Sequence, residues 1–315
     1  MKRRDFINQT VLASSALIFP VSSIADTILF NEKMINKDLE IYIFSKHLQF
    51  LNYIDMSEAA KEMGFNGVDL TVRPKGHVFP ENVTEDLPKA TEAMKSYGLK
   101  TRMFSSNVID ANNEIQKMVL KTAKNLGYEF YRTAWIKYYS GDAILEKVKL
   151  ANNKFIDLSM LNMEIGIKGC YHNHSGHYVG AAIWDLEKAL ENVNTTHFGC
   201  QYDIMHATVE GGENWEIGFH LIKPYINTLV IKDFKWKKIN GKWKRTFTPL
   251  GEGMVDFDRY FKLLKENNIN VPISLHVEYD LGGAEHGGKP NIKKSEVFKR
   301  IKHDLDFIKD MWKKT

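Results

Sequence analysis

The run Met56-Ser57-Glu58-Ala59-Ala60-Lys61-Glu62-Met63-Gly64-Phe65-Asn66-Gly67-Val68-Asp69-Leu70-Thr71-Val72 holds a helical pattern, a glycine and a strand in that order. Gly64 stands where a left-handed C-terminal cap ends the helix, and Gly67–Val72 is apolar and β-branched as a buried strand requires. The same order recurs around Gly98 and Gly127. Strands are expected at Leu39–Ser45, Gly67–Val72, Lys100–Ser105, Phe130–Trp135, Ile165–His172, Phe198–Asp203, Thr228–Asp233 and Pro272–Glu278. Helical patterns occupy Met56–Met63, Asp86–Tyr97, Asn113–Leu126, Leu145–Leu161, Trp184–Glu191, Trp215–Leu221, Asp256–Glu266 and Ser295–Trp312. Strict alternation of strand and helix predicts an α/β fold, a parallel sheet closed into a single (β/α)8 TIM barrel. An open doubly wound sheet fits less well, because no Gly-x-Gly-x-x-Gly follows the first strand.

Composition agrees with one large domain. The chain has 315 residues, 43% of them hydrophobic, with two cysteines and no low-complexity linker, which excludes a disulfide scaffold and a disordered chain. Its 43 basic and 39 acidic residues are scattered, so no nucleic-acid footprint is expected.

The N-terminus reads differently from the rest. Met1-Lys2-Arg3-Arg4-Asp5-Phe6-Ile7, a short apolar segment and small residues at Ser23 and Ala25 have the layout of a cleavable signal. The Arg3-Arg4-Asp5-Phe6-Ile7 run resembles a twin-arginine signal, with Ile7 and Asn8 departing from the usual residues. The expected organisation is a signal over residues 1–25 and a barrel over 26–315, exported to the periplasm or beyond and free of the membrane after cleavage. Cleavage removes Lys2, Arg3, Arg4 and Asp5, leaving 40 basic against 38 acidic residues.

In a barrel of this kind chemistry sits where the strands end. Strand five ends in Tyr171-His172-Asn173-His174, strand six in Asp203-Ile204-Met205-His206, strand seven in Ile231-Lys232-Asp233 and strand eight in His276-Val277-Glu278. Any one of these histidines alone reads as structural; together they predict a polar site at one mouth.

These motifs, with Pro249-Leu250-Gly251-Glu252-Gly253, resemble the xylose-isomerase-like sugar isomerase/epimerase superfamily (AP endonuclease family 2-like) over nearly the whole mature chain. The resemblance implies one divalent metal held by Glu, Asp, His and Glu from strands five to eight. Asp203 and Glu278 match that set, whereas His172 stands at the strand-five Glu and Val230 at the strand-seven His. A metal site of His172, Asp203 and Glu278 suits Mn or Zn. Lys232 shares the parity of Val230, so its ammonium offers a cation in the same mouth, or pairs with Asp203 or Glu278.

His174, His206, Trp135, Arg132 and His276 are candidate substrate-binding residues. Arg132 and Trp135 have opposite parity, so at most one faces inward within regular strand. Arg73, His77, His47 and Gln49 are loop candidates, and Leu281–Gly288 reads as a flexible loop, a cover for the mouth or a plain connection. Trp236 and Trp243 flank an expected hairpin, for carbohydrate stacking or for contact in a homo-oligomer. Cys170 and Cys200 have opposite parity on neighbouring strands, which argues against a disulfide.

The chemistry expected is proton abstraction next to a sugar carbonyl, with Glu278 or His172 as base and a metal or Lys232 at the oxyanion. An unphosphorylated sugar, keto-sugar or oxidised glycoside is the expected small-molecule partner, with epimerisation, isomerisation and elimination all open. A catalytically silent carbohydrate-binding barrel is the alternative, and Val230 is its main support.

Overall fold

The computed structural model describes residues 38–315, and the expected signal over residues 1–25 lies outside the described residues. Eight parallel strands form a closed barrel. They are β1 (Ile41–Phe44), β2 (Gly67–Val72), β3 (Met103–Ser106), β4 (Phe130–Arg132), β5 (Lys168–His172), β6 (Phe198–Asp203), β7 (Ile226–Ile231) and β10 (Ile273–Leu275). Between β7 and β10 lies an antiparallel hairpin of β8 (Asp233–Ile239) and β9 (Lys242–Thr248). Pairing of β1 with β10, Ile41 opposite Ile273 and Ile43 opposite Leu275, closes the ring. Among the described residues no helix is long and apolar enough to cross a membrane.

The run that begins at Met56 folds as its pattern predicts, with one extension. The helix spans Tyr53–Met63, because the Asn52 side chain accepts the Asp55 N–H at 2.9 Å and caps it earlier. Gly64 ends it at φ 92°, and Phe65 turns into the core ahead of β2. A helix at Ile204–Gly211 had no counterpart in the sequence pattern. It starts directly after β6 because the Asp203 carboxylate accepts the His206 N–H at 3.0 Å, making Asp203 an N-cap as well as a strand end.

Four strands stop sooner than expected, β1 by one residue, β7 by two, and β4 and β10 by three each. Strand β4 ends at Arg132, so alternation no longer constrains Trp135. Strand β10 ends at Leu275: the Val277 N–H is taken by His47 Nε2 at 2.9 Å, not by a neighbouring strand. That bond needs a neutral acceptor, and complete burial pushes the His47 imidazole down to about 3. His47 is thus a structural residue that turns Glu278 out of the sheet. Cys170 and Cys200 are buried free thiols.

Asp233 organises the segment after β7. Its carboxylate accepts the N–H groups of Phe234, Gly251, Gly253 and Val255 at 2.8–3.2 Å, folding Pro249–Gly253 against the base of the hairpin. The hairpin tip is Asn240-Gly241, both with positive φ, as a two-residue turn of mirror-image type requires. Leu281–Gly288 is tied rather than loose: Glu285 accepts the N–H groups of Leu281 and Gly283, and Gly287 lies against Lys46 and Gln49.

A Cβ on Gly253 would collide with the Asp233 carboxylate and the Phe234 carbonyl. Gly253→Ala is therefore expected to lower stability by about 1–3 kcal/mol, read from urea unfolding. An unchanged midpoint would mean the loop is not held as described.

Candidate functional site

The strand ends bring the expected polar residues into one buried cluster. Asp203 lies at its centre, fully buried at the end of β6. Its Oδ2 is 3.0 Å from His172 Nε2 and 3.1 Å from Lys232 Nζ. Lys232, one residue past β7, also reaches His206 Nε2 at 2.8 Å. An ammonium only donates, so His206 Nε2 is the acceptor and Nδ1 carries the proton. That Nδ1–H donates to Ser175 Oγ at 2.7 Å, and Arg245 of β9 donates to the same hydroxyl. The chain Arg245–Ser175–His206–Lys232–Asp203–His172 thus links the hairpin to β5, β6 and β7.

Electrostatics fix the protonation states. Burial alone raises the Asp203 carboxyl, but the Lys232 charge, with His206 and His172, holds it well below the usual range. Burial, reinforced by Lys232, keeps His206 well below the ordinary histidine range, in keeping with its acceptor nitrogen. Burial likewise pushes His172 down to about 4 against the pull of Asp203. His172 is neutral near pH 7, with Nε2–H on Asp203 and a buried, unpartnered Nδ1.

A second group stands beside the first. Glu278 is 18% exposed and more open than Asp203, with both oxygens 3.1 Å from Lys46 Nζ. His276 Nδ1 lies 3.8 Å from it, and the His276 ring stacks on Phe44 with centroids 4.1 Å apart. Burial opposes ionisation of Glu278, yet His276, Lys232 and Lys46 hold it well below the usual carboxylate range. His172 joins the two groups, its ring 5.5 Å from His206 and 6.1 Å from His276.

The expected substrate-binding residues converge here too. The His174 ring lies 4.0 Å from that of His206, tilted by 41°, and 5.0 Å from Trp135. The Arg132 guanidinium sits 4.5 Å over Trp135, so both reach the mouth; the parity restriction fails because β4 has already ended. His77 instead bonds the Ser45 hydroxyl, and Gln49 bonds the Lys75 carbonyl. Lys46, Ser175, Arg245 and Phe44 belong to the site and were not singled out from sequence. Lys46 was open to discovery, standing two residues past β1 where the strand-end rule points. Nothing in the local sequence of β9 marks Arg245, whose role comes from the hairpin folding back.

The metal implied by the resemblance can be tested on these donors. His172, Asp203 and His206 offer ligand atoms within 4.8 Å of one another. Lys232, however, already occupies Asp203 Oδ2 and the His206 Nε2 lone pair, and Val230 is buried and apolar. Glu278, expected as a ligand, stands with Lys46. While Lys232 keeps this position, the residues do not fit a divalent ion.

Comparisons with known proteins agree with this architecture. A family model described as xylose isomerase-like TIM barrel matches residues 57–311, and the chain belongs to that family. Inosose dehydratase of Clostridium perfringens (strain 13) is 27% identical over 137 residues, 39% of this chain and 44% of that protein. The chain thus spans less than half the length of that relative. Among solved structures, 3-keto-D-glucoside 4-epimerase from E. coli superposes with a TM-score of 0.62 at 14% identity, over 87% of this chain and 100% of that one. D-Psicose 3-epimerase from Clostridium cellulolyticum gives 0.65 at 9% identity, over 87% and 99%. A xylose isomerase-like protein from Mycobacterium smegmatis, in complex with magnesium, gives 0.60 at 13% identity, over 85% and 98%. These structural likenesses are likenesses of fold.

Removing one member of the buried ion pair leaves the other uncompensated. Asp203→Asn is expected to cost about 3–5 kcal/mol of stability, and the double variant Asp203→Asn/Lys232→Met to regain much of it. Additive losses in urea unfolding at neutral pH would contradict the pairing.

Proposed function

We propose that this xylose isomerase-like barrel is an exported enzyme of sugar isomerase/epimerase type that removes a proton next to a carbonyl. The substrate class is an unphosphorylated sugar, keto-sugar or oxidised glycoside. Export rests on the Arg3-Arg4-Asp5-Phe6-Ile7 signal layout alone. The reaction class is supported by the names of the relatives. A dehydratase of an inosose, a 4-epimerase of a 3-keto-glucoside and a 3-epimerase of a ketose each act at or beside a carbon that neighbours a carbonyl.

The observation that carries the proposal is the position of Lys232. An ammonium has three N–H bonds; Asp203 and His206 take two, leaving one for a substrate oxygen. A cation fixed in a dry site stabilises the oxyanion that forms when the neighbouring C–H is broken. Lys232 therefore fills the role of a divalent ion, and Asp203 and His206 hold it there. Glu278 is the base, ionised and more accessible than His172, whose free nitrogen is buried. Taking a proton requires Lys46 to release one of the two carboxylate oxygens it now holds. His174 and Trp135 offer aromatic surface for a sugar face at the same mouth.

Deuterium wash-in from solvent into keto-sugars and keto-glycosides tests this directly. Glu278→Gln and Lys232→Met are each expected to slow exchange by about 100-fold or more. Exchange is expected to survive exhaustive chelation; loss on chelation with recovery on adding Mn or Zn would make the site a metal centre. Failure of every keto-sugar to exchange would favour the carbohydrate-binding alternative.

The pH profile provides a second check. A base works in its deprotonated form, above its pKa. With Glu278 held below the usual carboxylate range and His172 near 4, exchange should show no acid limb near pH 6.5. A limb there would assign the proton transfer to a histidine with an ordinary pKa.

A further inference from the structure

Matching the charges around the mouth by direct contact leaves two cations without a hydrogen-bonded partner, although the Asp69 carboxylate acts on both at longer range. Lys232 meets Asp203 and Lys46 meets Glu278. Asp69, the remaining buried carboxylate inside the barrel, receives the hydroxyls of Ser105 and Ser274. Arg132 and Arg73 meet no carboxylate and make no side-chain hydrogen bond among the described residues. Arg132 is only 3% exposed, and its Nε is buried without a partner. Both guanidinium groups lie against Phe44, at 5.5 Å for Arg73 and 5.7 Å for Arg132.

A buried, unpaired guanidinium is unfavourable unless something supplies the opposite charge. Aromatic faces at Phe44 and Trp135 compensate in part, but they accept no hydrogen bond in the plane of the fork. Burial and the neighbouring Arg73 charge push Arg132 down to about 9, against the opposing pull of the Asp69 and Glu278 carboxylates, neither of which it touches. Arginine is also the side chain whose geometry matches a planar anion with two parallel bonds.

We infer that Arg132 and Arg73 bind a carboxylate of the substrate, which makes the preferred substrate a sugar acid. The inference rests on the sugar-enzyme reading above and refines it: the carbonyl oxygen lies at Lys232 and the acid group lies by Phe44. A phosphate ester offers the same sign of charge. The carboxylate is the better fit because the glycine N–H groups after the late strands are already taken and cradle no tetrahedral anion: Gly251 and Gly253 donate to Asp233, Gly282 to Asp280, Gly283 to Glu285, and Gly287 and Gly288 to backbone carbonyls.

Isothermal titration of the full mature protein with glucuronate and gluconate, against glucose and glucose 6-phosphate, tests the inference without requiring turnover. The acids are expected to bind at least 10-fold more tightly than glucose and more tightly than the phosphate. Arg132→Met should weaken acid binding by about 100-fold and Arg73→Gln by about 10-fold. Arg132→Met should also raise the melting temperature of the ligand-free protein, because it removes a buried charge that makes no hydrogen bond to a counter-ion; a purely structural arginine would give the opposite sign. Equal binding of acid and neutral sugar, preference for the phosphate, or a lower melting temperature in Arg132→Met would each overturn it. Acid binding without solvent exchange would count against the proton-transfer reading alone. Exchange confined to neutral sugars would overturn the carboxylate site alone.

Discussion

Everything at the mouth of this barrel is arranged around one buried ion pair, Lys232 with Asp203. Neither charge is stable in that position alone. Asp203 is fixed from three directions: it ends β6, caps the following helix through the His206 N–H, and accepts the His172 imidazole. Lys232 then sets the tautomer of His206, which orients Ser175. Each group specifies the next, so the site is preorganised before any substrate arrives.

The comparison with relatives sharpens the meaning of that pair. Family membership establishes the barrel, and this chain departs from the implied metal set at two of four strand ends, His172 and Val230. The departures are coherent. Where the resemblance implies an imidazole on β7 this chain has the buried Val230, and Lys232, two residues on, places its ammonium against Asp203 and His206. The lysine meets the two donors that remain.

Much of the fold was legible because a barrel repeats one physical unit. Helix, cap and strand alternate along the chain, and β2 and β6 match their expected limits residue for residue. What escaped depended on side chains competing with backbone. Asp203 started a helix where the pattern showed only a strand end, and His47 took the Val277 N–H and shortened β10. Parity still held for Lys232, one residue past β7, and failed for Trp135, three residues past β4, because alternation fades once a strand has ended. Lys46 and Arg245 were the hardest to see. Their partners lie 232 and 70 residues away in sequence, and no local period reports such contacts.

The hairpin of β8 and β9 has a consequence for how the mouth meets its surroundings. Its base is pinned by Asp233, adjacent to Lys232, while its far end carries exposed Trp236 and Trp243 around the Asn240-Gly241 turn. The residues near the turn pair only with each other, so substitutions there leave the barrel ladder intact. Arg245 links the hairpin inward through the Ser175 hydroxyl, while Phe234 and Phe247 pack on the core. The hairpin therefore works as an outrigger, anchored at its base and joined to the buried centre by a polar contact through Arg245.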